Sequence, residues 1–94
     1  MIKTTEQYLN YLAEKFYNEE NYTDEEMNNY YCYDNKTQKF VTCFNKSGDC
    51  FMEEFKTLKA VELYFYSNLD TNEIFELDEQ LHQLNQIKNI LGIS

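Results

Sequence analysis

Residues 30–56 read YYCYDNKTQKFVTCFNKSGDCFMEEFK, and this stretch sets the architecture. Aromatic and β-branched residues recur in three short runs, Tyr30–Asp34, Lys39–Asn45 and Cys50–Lys56, which predicts three antiparallel strands. The polar clusters Asn35–Gln38 and Lys46–Asp49 are the expected turns, with Gly48 supplying positive φ in the second. A turn at Ser47-Gly48 pairs Phe44 with Phe51, Thr42 with Glu53 and Phe40 with Phe55. A turn at Lys36-Thr37 pairs Tyr33 with Phe40 and Tyr31 with Thr42. Side chains alternate across a strand, so one face carries Tyr31, Tyr33, Phe40, Phe44, Phe51 and Phe55. The other carries Tyr30, Cys32, Val41, Cys43, Met52 and Glu54. The aromatic face is the expected core. Cys43 and Cys50 come out as diagonal neighbours, which disfavours a strain-free disulfide.

Helices are expected on both sequence sides of this meander. Thr4 with Gln7 reads as a capping box. It opens a helix over about Thr5–Glu19, with Leu9, Leu12, Ala13 and Phe16 as its apolar stripe. Thr23 with Glu26 is a second capping box and predicts a short helical turn through Met27. Thr57–Ser67 fits either a strand or a helix capped by Thr57, and the Leu-Lys-Ala start favours helix. The last segment is helical from a cap at Asp70 or Thr71 to Gly92, with Ile74, Leu77, Leu81, Leu84, Ile87 and Leu91 in its stripe. The expected fold is a single α+β domain over 1–94: an N-terminal helix, a three-stranded antiparallel β-meander and two C-terminal helices.

Sixteen Phe and Tyr residues in 94 supply enough apolar area for one core and argue against disorder. No stretch is apolar enough to span a membrane, and Met1–Thr4 lacks a signal-peptide apolar region. The expected location is the cytoplasm of a bacterial host. Cys32, Cys43 and Cys50 are odd in number and lack the close ligand pairs of a zinc site. They read as small apolar residues packed in or beside the core, and His82 as a surface residue of a helix. No metal and no cofactor is expected.

Charge is the strongest functional signal. The chain has 17 acidic residues against 8 lysines, and its net charge is −9. Acids dominate residues 1–34 and 61–94, and the middle is mildly basic. Catalytic patterns are missing. Glu53 and Glu54 point to opposite faces of a strand, no nucleophile can be set beside a histidine, and no glycine loop cradles phosphate. An enzyme is therefore not expected. Direct nucleic-acid binding is disfavoured too, because acidic flanks repel phosphates and are attracted to the basic channels that bind them. A protein partner fits better, with exposed tyrosine as rigid contact surface.

The order of an acidic helix, the meander of Tyr30–Asp34, Lys39–Asn45 and Cys50–Lys56, and two C-terminal helices resembles small phage-encoded anti-defence proteins. It is similar in layout to acidic anti-CRISPR inhibitors that mimic DNA. That resemblance implies a stoichiometric inhibitor whose carboxylates stand in for phosphates in a basic nucleic-acid-binding enzyme, such as a CRISPR nuclease. The expected anionic patches are Glu19, Glu20, Asp24, Glu25 and Glu26, and Asp70, Glu73, Glu76, Asp78 and Glu79. Tyr17, Tyr22 and Tyr30 are the expected aromatic anchors. Two alternatives stand beside it: an immunity protein or antitoxin against a basic nuclease, and a homodimeric interaction or regulatory module. The second would use the 3-4-3 spacing of Ile74, Leu77, Leu81 and Leu84 as a short seam.

Overall fold

The computed structural model describes residues 1–92. The element order is β1 (Ile2–Lys3), α1 (Glu6–Tyr17), β2 (Asn29–Asp34), β3 (Lys39–Phe44), β4 (Phe51–Phe55), α2 (Leu58–Tyr66) and α3 (Thr71–Leu91). The class is α+β, and the sheet is four-stranded and mixed, in the order β1-β2-β3-β4. The expected three-stranded meander is therefore incomplete. Strand β1 extends it, pairing parallel with β2 through Ile2↔Tyr30 and Lys3↔Tyr31. A two-residue strand is too short to show alternation. Its partner lies beyond α1, so nothing local announces it.

Inside the antiparallel part the register follows the turns. Tyr31↔Thr42 and Tyr33↔Phe40 pair across β2 and β3. Phe40↔Phe55, Thr42↔Glu53 and Phe44↔Phe51 pair across β3 and β4. The second turn is longer than Lys46–Asp49. Cys50 has φ 48°, outside the strand region, and its N–H donates to Asn45 Oδ1 at 3.0 Å. Asn45 Nδ2 in turn donates to the Glu26 carbonyl at 2.7 Å, so this buried amide ties the turn to the acidic loop.

The core does not lie on the aromatic face alone. On one side of the sheet α1 buries Leu9 and Leu12 against Tyr30, Cys32 and Cys43. On the other, α2 and α3 bury Ala60, Val61, Phe65 and Ile74 against Phe55, with Phe40, Phe44 and Tyr31 packed around them. The cysteine face needed a cover because α1 sits between parallel partners β1 and β2. Such a crossover lays its helix on a sheet face. The aromatic face is only partly used: Tyr33 and Phe51 are exposed.

Caps explain the helix boundaries. Thr5, not Thr4, caps α1, its side chain accepting from Tyr8 N. Thr4 N instead donates to Tyr31 O at 2.8 Å, which continues the β1 pairing. Thr57 caps α2 by accepting from Ala60 N, which resolves that segment as helix. Asp70 caps α3, and Gly92 ends it in the left-handed region at φ 72°. Phe16, expected on the apolar stripe of α1, is exposed.

Candidate functional site

The acidic loop after α1 is built from its own backbone. Asn18 ends the helix. Glu19 N then donates to Phe16 O and Glu20 N to Lys15 O, a Schellman-type closure. That closure puts Glu19 at φ 57°, a position glycine or asparagine normally takes. Both carboxylates also sit at the negative end of the α1 dipole. Local structure favours neither of them there.

The loop is fastened from beneath. Tyr22 Oη donates to the Leu12 carbonyl at 2.5 Å, and Tyr30 Oη donates to the Glu25 carbonyl. Glu26 is buried, with its Oε1 accepting from Lys15 Nζ and from Thr23 N, both at 2.8 Å. The Lys15 ammonium, with the Thr23 amide, holds the Glu26 carboxyl down at about 2. Glu26 therefore leaves the expected anionic patch: the capping box and an ion pair take its charge inward. Tyr22 and Tyr30 leave the set of anchors, since their hydroxyls are used inside and Tyr30 is buried.

Four acids remain outward on this loop: Glu19, Glu20, Asp24 and Glu25 are exposed, and none takes part in an ion pair among the described residues. Glu19 and Glu20 line an open groove of about 750 Å³ with Phe16, Tyr17, Tyr22 and Met27. Tyr17 is 86% exposed and is the one expected anchor that stands free. Sequence reasoning missed Phe16 and Met27 as groove walls. Phe16 falls on the helical stripe and reads as core, but at the last turn of α1 it is exposed.

The second expected patch separates. Asp78 is buried, accepting from Lys56 N at 2.7 Å and from Thr57 N and Thr57 Oγ1 at 2.9 and 2.7 Å. It fastens α3 to the end of β4 and leaves the surface set. Glu79 pairs with Lys56 Nζ, which lowers its carboxyl from the ordinary range. Asp70 spends one oxygen capping Asn72 N at 2.8 Å. Glu73 and Glu76 are exposed and have no ion pair among the described residues.

The segments that carry the two acidic groups reach the β3–β4 hairpin end from opposite faces of the sheet. Gly48, at the tip of the β3–β4 turn, faces Met27 and Tyr22 of the first loop. On the opposite face, Thr71 and Leu69 line a hollow with Phe44 and Phe51 of the same hairpin end. Leu69 and Thr71 flank Asp70 in sequence, so the start of α3 and the acidic loop lie at the same hairpin end, with Asp49 on the turn.

The cysteines lie elsewhere in role. Cys43 Sγ and Cys50 Sγ are 3.4 Å apart, both free thiols. Burial, with Cys50 alongside, pushes the Cys43 thiol above its ordinary value, so it stays protonated and a poor nucleophile. His82 is on α3, away from the cysteine cluster under α1. No group of three or more His, Cys, Asp or Glu side chains among the described residues is placed to hold a metal ion. No helix among them is long and apolar enough to cross a membrane.

Comparison of the chain with family models, with curated proteins and with solved structures returns no match.

Proposed function

We propose that the chain is a stoichiometric protein inhibitor of a basic nucleic-acid-binding enzyme. It would act as anti-CRISPR-like proteins do, in a bacterial host cytoplasm, its surface carboxylates occupying the places of phosphates. The observation that carries the reading is the set Glu19, Glu20, Asp24 and Glu25: four exposed carboxylates without an ion pair on one fastened loop. The chain holds Glu19 and Glu20 there against the helix dipole, and Glu19 against backbone preference as well. Asp70 and Glu73 extend the anionic surface across the hairpin end. Such a surface speeds docking into a Lys/Arg-lined channel by roughly 10–10³-fold at low salt. The groove beside Glu19 and Glu20 suits one partner cation, held by carboxylates at its rim and by the exposed Tyr17 ring.

Capture of partners from a bacterial lysate at low and high salt tests this. The expected partner is a nucleic-acid enzyme retained at low salt, released at high salt, and not captured by Glu19→Lys/Glu20→Lys/Asp24→Lys/Glu25→Lys. Capture indifferent to both salt and charge reversal would remove the proposal. An immunity protein would use the same surface, and capture of a nuclease toxin identifies that case.

A further inference from the structure

The long helix α3 has two unlike halves. Its first half is clamped to the body by Asp78 on Lys56 and Thr57. Helix α2 runs back along it, so Lys59 and Leu63 face Leu77, Leu81 and Leu84 across a shallow apolar groove of about 340 Å³. Helix α2 begins at Leu58. Past Leu84 it offers nothing to pack on, and α3 continues for about 10 Å at 1.5 Å per residue. Leu84, Ile87, Ile90 and Leu91 are 47, 52, 83 and 66% exposed. An apolar ridge on a projecting helix is an unfinished surface.

Charge narrows what can finish it. Residues 80–94 contain no Asp or Glu, the longest such run in a chain with 17 acids. A cationic partner finds no carboxylate to bind on this half. A second copy, itself carrying a net charge of −9, meets no acid along this run of α3. With Leu63 of α2, the stretch also supplies both halves of a fit: the Ile87–Leu91 ridge, and the Leu63–Leu81–Leu84 groove one turn earlier.

We infer that the projecting half of α3 is a self-association surface, on which two copies pair antiparallel about a two-fold axis near Leu84–Ile87. The Ile87–Leu91 ridge of each copy lies in the α2–α3 groove of its partner, an isologous contact that closes on itself. The antiparallel sense keeps Glu73, Glu76 and Glu79 of the two copies apart; a parallel pair would align them. The hairpin-end carboxylates lie at the opposite end of α3 and stay free, so the dimer would present two anionic surfaces. This inference is independent of the proposed inhibitor role.

Sedimentation equilibrium from about 1 μM to about 1 mM tests it. The expected mass rises from 11.4 kDa toward twice that value. Leu84→Glu and Ile87→Glu, both at exposed positions that leave the fold intact, should each raise the dissociation constant by at least about tenfold. Phe51→Glu, an exposed aromatic on the sheet, should leave it unchanged. Raising salt from about 0.01 M to about 1 M should strengthen the dimer by screening like-charge repulsion, opposite in sign to the inhibitor contact. A chain monomeric throughout, a dimer indifferent to both α3 substitutions, a dimer lost with Phe51→Glu, or one weakened by salt would each overturn the inference.

Discussion

Glu25 and Glu26 are adjacent acids with opposite fates. Glu25 is exposed, and Glu26 is buried on Lys15 and Thr23. The Thr23–Glu26 spacing held the signal for this, because a capping-box glutamate turns back on its own backbone. Lys15 lies eleven residues away and could not be matched from sequence. Glu26→Gln should cost about 2 kcal/mol, the worth of a charge-assisted hydrogen bond, read by urea unfolding at neutral pH. The folded carboxyl titrates near 2 against an ordinary 4.5. Its stabilisation is therefore complete above 4.5 and is lost as pH falls toward 2. The difference between wild type and Glu26→Gln should shrink across that window. Glu19 behaves differently, being left-handed without glycine. Glu19→Gly should raise stability by about 1 kcal/mol while weakening partner capture. A loss of stability there would contradict the view that Glu19 is kept for its charge.

Among the elements, the meander was legible because its register depends only on two turns and an alternating pattern. The cover on the cysteine face was not. Cys32, Cys43 and Val41 make a modest stripe beside six aromatics, and only the parallel β1–β2 pairing brings α1 over them. Leu12, fully buried there, tests that layer. Leu12→Ala should cost about 3 kcal/mol, whereas Phe16→Ala, at an exposed groove wall, should change stability little. Asp78 was misread for a related reason. Its acidic neighbours Glu76 and Glu79 are on the surface, but its own carboxylate accepts three hydrogen bonds at the β4–α2 junction. Asp78→Ala should cost more than 2 kcal/mol, since it leaves buried N–H groups unpaired. Thermal unfolding of the three variants measures this.

At the scale of the molecule, the structure sorts ten expected surface acids into unequal kinds. Glu26 and Asp78 hold the fold together. Glu79 is neutralised by Lys56. The rest, Glu19, Glu20, Asp24, Glu25, Asp70, Glu73 and Glu76, remain outward, most of them around the β3–β4 hairpin end. Composition announced a polyanion, but the topology decided which carboxylate-bearing segments lie at one end of the sheet, because Gly48 and Phe51 belong to one hairpin and meet opposite sides of the chain. The most direct test is the affinity of the captured partner measured at a series of salt concentrations, for wild type and for the fourfold Glu19, Glu20, Asp24 and Glu25 reversal to lysine. A polyanion mimic should show log affinity falling steadily with log salt, and the reversed chain should show no binding at any salt while its circular dichroism is unchanged. Wild-type affinity that stays level across the series, or binding that survives the reversal, would contradict it.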